Sequence, residues 1–179
     1  MTRAGDLLWC FLSAPLFLPL VSCVALVVWC LDGSPILFRQ QRVGHHRQTF
    51  SIFKFRTMHK GQVTRAGAWL RHTGLDETVQ WLNVLRGDMS WIGPRPLTPA
   101  DLTRLGWHRS QHDPRFRIKP GVTGLAQLLA GAGAGWTRGV DRLYRRRRGL
   151  CLHSWIVLWS IALCLLGKAR GRRLLLPRQ

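Results

Sequence analysis

Leu75-Asp76-Glu77-Thr78-Val79-Gln80-Trp81-Leu82-Asn83-Val84-Leu85-Arg86-Gly87-Asp88-Met89-Ser90-Trp91-Ile92-Gly93-Pro94-Arg95-Pro96 is the stretch that decides how this chain is read. It sets two adjacent carboxylates ahead of a helix-like apolar pattern, then a Gly-Asp and a Gly-Pro-Arg-Pro turn. The whole chain of 179 residues holds 8 acidic residues against 27 basic ones. An acid pair in so positive a field is placed to meet something cationic or phosphorylated. Thr73-x-x-Asp76 fits the looser form of a capping box, with Leu75, Val79, Leu82 and Leu85 on the apolar stripe that follows. That spacing predicts a helix whose first turn carries Asp76 and Glu77. There the dipole and the free N–H groups favour an ionised carboxylate, and the same end can hold a substrate phosphate. A purely structural helix start would satisfy the position as well.

Towards the amino terminus, Leu7 to Leu31 is almost entirely apolar and is bounded by Asp6 and Asp32. That length suffices to cross a bilayer core, and it exceeds the apolar core of a cleaved signal peptide. Pro15 and Pro19 lie inside it. A proline removes a donor and clashes with the preceding turn, so the segment is expected to bend. Two topologies stay open, a kinked span and a helix that enters and returns to the same face. Under both, the arginine-rich remainder belongs in the cytoplasm. Cys10, Cys23, Cys30, Cys151 and Cys164 lie in apolar stretches without C-x-x-C spacing and read as small hydrophobes in a reduced compartment.

Beyond the Asp32-Gly33-Ser34-Pro35 turn, Ile36-Leu37-Phe38 and Phe50 to Phe55 flank a Gly44-His45-His46 bend and predict a β-hairpin. Alternation puts Phe53 and Phe55 on one side and Lys54 and Arg56 on the other. Two cations on one face suit phosphate contact, and equally a solvated surface. On the far side of the acidic pair, Arg115 to Gln127 is a basic, glycine-punctuated loop or strand. Arg145 to Arg148 precede a second apolar stretch, Leu150 to Leu166, barely long enough to span. With Trp155 and Trp159 four apart, it reads as a helix lying at the membrane interface, its arginines and tryptophans serving as headgroup anchors. His108 and His112 are four apart, but no third ligand of the usual kind is near, and they read as solvated histidines. There is no G-x-S-x-G elbow and no Walker-type loop. A net charge of +19 implies a polyanionic partner: nucleic acid, an anionic lipid surface or a phosphate-rich small substrate. The amino-terminal apolar run argues against nucleic acid.

These residues together resemble the bacterial sugar transferases, the monotopic polyprenyl-phosphate phosphoglycosyl transferases. The likeness runs from Asp6-Leu7 and Pro19 through Phe38-Arg39-Gln40-x-Arg42-Val43-Gly44 and Phe53-Lys54-Phe55-Arg56-Thr57-Met58. It continues in Leu75-Asp76-Glu77, Asn83 to Ser90 and Gly93-Pro94-Arg95-Pro96, and closes with Pro120-Gly121-Val122-Thr123-Gly124-Leu125-Ala126-Gln127 and Asp141-x-x-Tyr144. One such motif would be weak; this many in order is specific. The chain departs from the family in having Leu18-Pro19 where Ser-Pro is usual, Leu129-Ala130-Gly131 where a polar residue and Gly-Arg often stand, and His153 where an Asp is frequent.

The resemblance implies transfer of a sugar phosphate from a nucleotide sugar, with UDP the usual nucleotide, to polyprenyl (undecaprenyl) phosphate, releasing a nucleoside monophosphate. It implies Asp76 as the nucleophile that becomes a covalent phosphosugar, and Glu77 as the holder of Mg²⁺. A carboxylate can accept a phosphoryl group and split a hard transfer in two, and the donor diphosphate then needs a metal and cations to neutralise it. Lys54, Arg56, Arg71 and Arg95 are the cations in or near the matching motifs, and Pro94 and Asp141 complete the expected substrate site. Pro19 is the expected membrane kink. The expected fold is α+β, mainly α, with an anchor helix over residues 1–33 and a cytoplasmic catalytic domain over 34–179. That domain would carry a small hairpin and interfacial amphipathic helices, 150–166 among them, on the cytoplasmic face of a bacterial inner membrane. Anionic lipid is an expected partner and nucleic acid is not; a homodimer stays open. The rival readings are a non-catalytic membrane scaffold of the same fold and a basic nucleic-acid-binding membrane protein. The latter would bind with a steep salt dependence and have no need of Asp76.

Overall fold

The computed structural model of the chain describes residues 2–107, 113–129 and 134–166. It is mainly helical. Helix α1 (Arg3–Asp32) runs as one helix through Pro15 and Pro19, with Thr2 capping its start and Gly33 donating to the Trp29 carbonyl at its end. Its length and composition suffice to cross a membrane. It is not a detached element, because Val24 and Val28 pack in one core with Phe53, Phe55, Leu70 and Val79. Cys10 packs in another with Ile52, Val84 and Met89.

The predicted hairpin forms from β1 (Leu37–Val43) and β2 (Thr49–Phe55), paired from Leu37↔Phe55 to Val43↔Thr49. Two further ladders add to it. A short hairpin joins β3 (Met58–His59) to β4 (Gln62–Val63). The third ladder pairs β5 (Ser90–Ile92) in parallel with β6 (Gly121–Thr123). Between them stand α2 (Arg65–Thr73), a 3₁₀ segment (Leu75–Gln80) and α3 (Trp81–Arg86). Then come α4 (Pro99–Arg104), α5 (Asp113–Phe116), α6 (Leu125–Leu129), α7 (Ala134–Arg147) and α8 (Leu150–Leu166). α8 coincides with the expected apolar helix. It buries Ile156 and Leu163 against β5, α6 and α7 and leaves Leu158 and Ile161 exposed. His108 and His112 lie outside the described residues.

The β5–β6 ladder brings two glycine motifs back to back. A Cβ on Gly121 would stand 2.0 Å from the Gly93 nitrogen, and one on Gly124 2.1 Å from the Gly93 carbonyl oxygen. No side chain fits between backbones that close. Ser90 N–H on the Pro120 carbonyl, Gly93 N–H on that of Thr123 and Gly121 N–H on that of Pro94 lock the crossing. The Gly-Pro-Arg-Pro turn is thereby pinned to the segment that carries β6.

Candidate functional site

Gly74 ends α2 in the left-handed region, φ 82°, with its N–H on the Leu70 carbonyl at 2.7 Å. The chain turns there and re-enters a helical turn at once, so Asp76 and Glu77 occupy its start. The acids thus sit in a first turn as the spacing requires, but the capping box is a correction. Thr73 is the last residue of α2, and its hydroxyl donates to the carbonyls of Trp69 at 3.0 Å and Leu70 at 3.2 Å. The position ahead of the acids belongs to Gly74, which supplies no side-chain cap. A left-handed glycine is a strong helix stop, and it places Thr73 at the end of α2 where the spacing put it ahead of the next helix.

Strand β2 lies across this turn. Phe53 and Phe55 point into the core, as alternation predicts, and Lys54 points away from it to place its Nζ 2.6 Å from Glu77 Oε1. Asp76 is 9 % exposed. What fixes β2 over the turn is Asn83, fully buried on α3. Its Oδ1 accepts the Phe53 N–H at 3.1 Å, and its amide donates to the Ser51 carbonyl at 2.8 Å. Asn83 therefore brackets the strand next to Lys54 and sets where that ammonium reaches.

A second group of cations comes from β1 and the Gly93–Pro96 turn. Arg42 donates to the Pro96 carbonyl at 3.1 Å and to Gln40 Oε1 at 2.6 Å, and stands 3.9 Å from Asp101. Burial pulls Arg42 below the ordinary arginine value and the charge of Arg95 adds to this, while Asp101 and Glu77 oppose it. Those couplings gather Arg42, Arg95 and Glu77 in one electrostatic neighbourhood. Arg95 itself is exposed.

Pro94 and Asp141 line a separate cleft of about 110 Å³, shared by Trp107, Pro114, Arg115, Ile118 and three arginines of α7. Asp141 is engaged by Arg115, whose second nitrogen donates to the Arg95 carbonyl. Burial pulls Arg115 down to about 9, which leaves it charged at neutral pH.

Two expected substrate cations are placed elsewhere. Arg71 Nε donates to Thr57 Oγ1 at 2.9 Å on the surface. Arg56 is 6 % exposed, and its guanidinium donates to the main-chain carbonyls of Asp32, Gly33 and Ser34. It closes the end of α1. Arg42, Asn83 and Arg115 received no role in the sequence, although the first two lie inside the quoted motifs. No signal in spacing could have paired Arg115 with Asp141, 26 residues away.

The family model for bacterial sugar transferases matches residues 1–167. This chain belongs to the bacterial sugar transferase family. Among family relatives, it is 38% identical over 164 residues to an undecaprenyl-phosphate glucose phosphotransferase of Komagataeibacter xylinus, covering 80% of this chain and 30% of that protein. It is 36% identical over 173 residues to a UDP-glucose:undecaprenyl-phosphate glucose-1-phosphate transferase of Caulobacter vibrioides, covering 89% of this chain and 63% of that one. It is 35% identical over 146 residues to a UDP-N-acetylgalactosamine-undecaprenyl-phosphate N-acetylgalactosaminephosphotransferase of Aeromonas hydrophila, covering 74% and 34%. The chain thus spans from under a third to under two thirds of the length of these curated relatives.

Proposed function

We propose that this protein transfers a sugar phosphate from a UDP-sugar to undecaprenyl phosphate, releasing UMP, in the first membrane step of glycoconjugate or exopolysaccharide synthesis. The observation that carries the proposal is the buried Asp76 at the start of a helical turn, beside a Glu77–Lys54 pair and the Arg42–Arg95 neighbourhood. Nucleotide and acceptor lipid follow the names of the relatives, which also divide between glucose and N-acetylgalactosamine, so the sugar is left open.

In this mechanism an Asp76 carboxylate oxygen attacks the β-phosphorus of the donor. A bond forms from that oxygen to phosphorus, the bond from phosphorus to the bridging oxygen breaks, and the nucleotide departs with the electron pair. A phosphate oxygen of the lipid then attacks the same phosphorus and returns Asp76 as a free carboxylate. Two anions must meet at each step, so Lys54, Arg42 and Arg95 supply the compensating charge, preorganised by Asn83 and by the carbonyls that hold Arg42. Among the described residues no cluster of three or more metal-ligating side chains occurs. A site of one or two carboxylates completed by substrate phosphates is how Mg²⁺ is usually held, and the adjacent Asp76 and Glu77 fit that donor set. When bound there, held by Glu77, Mg²⁺ would neutralise charge on the donor diphosphate. Lys54, already against Glu77, keeps that carboxylate turned towards the site in the meantime.

The anchor reading that the contacts favour is a monotopic one. At the start of α1, Arg3 donates to the carbonyls of Val84 and Leu85, and the buried Asp6 carboxylate accepts from Ser90 Oγ at 2.7 Å and Trp91 N–H at 3.2 Å. At its end, Arg56 holds three carbonyls. A straight 30-residue helix is about 45 Å long. One body gripping both ends supports an anchor that stays on one face over a span whose far end lies across a bilayer. The body would then sit on the cytoplasmic face of the inner membrane, with α8 at the interface.

The test is UMP release by purified protein in nanodiscs with undecaprenyl phosphate, Mg²⁺ and a panel of UDP-sugars, beside Asp76→Asn. Release that needs lipid, metal and Asp76 is expected. Turnover of Asp76→Asn at the native rate would remove the covalent mechanism. A folded native protein silent with every donor would point to the scaffold reading.

A further inference from the structure

Helix α8 is apolar but for His153, Ser154 and Ser160. His153, Ile156, Ser160 and Leu163 follow one another at i, i+3, i+7 and i+10, which is one stripe of a helix. Ile156 and Leu163 are buried on that stripe, in one core with Ile92, Leu125 and Tyr144. Its two polar residues therefore face the body as well. A polar group turned inwards on an apolar helix is costly unless it is paired, and both are paired. His153 Nε2 stands 3.2 Å from the Tyr144 hydroxyl, and Ser160 Oγ stands 2.5 Å from Thr123 Oγ1. The remaining bonds fix who donates. Tyr144 gives its hydroxyl proton to the Ile92 carbonyl at 3.1 Å, so it accepts from His153, which holds a proton on Nε2. Ser160 gives its proton to the Ile156 carbonyl at 2.7 Å, so Thr123 donates to it.

Both relays end on one register pair. Ile92 lies opposite Thr123 in the β5–β6 ladder. The next residue is Gly93, whose N–H is held by the Thr123 carbonyl at 3.0 Å, and Pro94-Arg95-Pro96 follows at once. Strands of three residues are too short for such a ladder to hold itself. Its support comes from α7 through Tyr144 and from α8 through His153 and Ser160. Arg95 is the side chain this support serves, since its charge acts on Arg42 beside that of Glu77. A cation that must meet charge developing on phosphorus works where it is held beforehand. Displacing it by about 1 Å can cost about 100-fold in rate.

We propose that His153 and Ser160 are positioning residues for the transfer: through the Tyr144 and Thr123 hydroxyls they hold the Gly93–Pro96 turn, and with it the reach of Arg95 towards the acidic pair. This rests on the transfer reading above. The experiment is a kinetic cycle on the full chain in nanodiscs, combining His153→Leu/Ser160→Ala with Arg95→Gln and reading kcat/KM for the UDP-sugar. With Arg95 present, the His153→Leu/Ser160→Ala changes should cost about 10–100-fold. In the Arg95→Gln background they should cost no more than about twofold, because the residue they act through is gone. Equal losses in both backgrounds would overturn the proposal and reduce the two residues to packing. So would native kcat/KM in the variant that keeps Arg95. His153→Gln and Ser160→Thr keep the donor and the oxygen, and each should stay within about threefold of native. Ser160→Ala alone is the mildest change. It should show the same dependence on Arg95, and it carries the test if the double variant does not fold. Amide exchange gives a readout apart from turnover. The Gly93 N–H should exchange faster in the variant, while the Phe53 N–H, bound to Asn83, keeps its native rate. Native exchange at Gly93 would also overturn the proposal. Faster exchange at Gly93 in a protein that transfers no sugar phosphate would uphold the hold on the turn and sink the reaction.

Discussion

Arg56 offers the sharpest separation between a substrate contact and a structural one. Its motif suggests phosphate binding, yet its guanidinium is 6 % exposed and spread over the carbonyls of Asp32, Gly33 and Ser34. Those carbonyls close the end of α1, where Gly33 turns the chain with φ 70°. A hydrogen bond from a charged group contributes about 1.5–3 kcal/mol, and buried acceptors left unpaired cost about 1–3 kcal/mol each. The contributions do not add, so Arg56→Met is expected to cost roughly 3–5 kcal/mol. Arg56→Lys keeps the charge but can serve one carbonyl well instead of three, and should recover less than half of that. For a chain of this size, 1 kcal/mol moves Tm by about 2–4 °C. Thermal unfolding in detergent should thus drop by roughly 6–20 °C for the methionine variant. KM for the donor, measured below that transition, should stay at the native value. A native Tm with KM raised tenfold or more would refute the assignment and restore Arg56 to the substrate.

Other outcomes follow from neighbouring geometry. Gly121→Ala places a methyl 2.0 Å from the Gly93 nitrogen. It should cost about 3 kcal/mol or more, seen as a lowered Tm and faster amide exchange at Ser90 to Ile92; native exchange there would contradict the close crossing. Lys54→Met should lower kcat/KM by roughly 10–100-fold with Tm nearly unchanged, because the Glu77 pair is partly solvated and adds little stability. A KM-neutral, kcat-neutral Lys54→Met would remove Lys54 from the site. His45 is held below the ordinary histidine value by burial first, then by His46 and Lys119 against the opposing Arg117 carbonyl. The unfolded chain therefore takes up the proton first as pH falls. Stability from this group is full above about 6.5 and declines as pH drops through 6.5 towards the folded value. The Tm difference between pH 7 and pH 5 should shrink in His45→Gln, and an equal difference would exclude His45 as its source.

What could be read in the sequence was what short spacing encodes. The alternation in β2 put Phe53 and Phe55 inwards and Lys54 opposite, and the structure agrees. The extent of α8 was visible as an apolar run interrupted only by His153, Ser154 and Ser160. Position 56 shows where that logic stops. Arg56 continues the alternation on paper but follows the last residue of β2, and the helix end it caps is 22 to 24 residues away. The Thr73 box failed for a related reason, since Thr73-x-x-Asp76 is a valid local pattern whichever helix Gly74 assigns Thr73 to. β5 and β6 have three residues each, too few for any period to declare itself. Their pairing is visible only in the glycines, and only once Gly93 and Gly121 are known to meet.

The scarcity of acids turns this into an argument about the site. In a chain with 8 carboxylates and a charge of +19, each acid is drawn towards many cations, and four have a visible structural use. Asp6 fastens α1 to Ser90 and Trp91, Asp88 accepts from Asn83, Asp101 caps α4 through Thr98, and Asp141 is matched to Arg115. Each of these stabilises a junction between elements. Asp76 and Glu77 are the one adjacent pair. Their 3₁₀ segment takes its start from the backbone of Gly74, so the fold asks for no carboxylate there. Like charges side by side cost energy unless cations meet them, and here Lys54 comes from β2 to meet Glu77. A strand and a glycine stop thus converge on a pair of acids that caps no helix, which is what a site kept for an incoming phosphate requires.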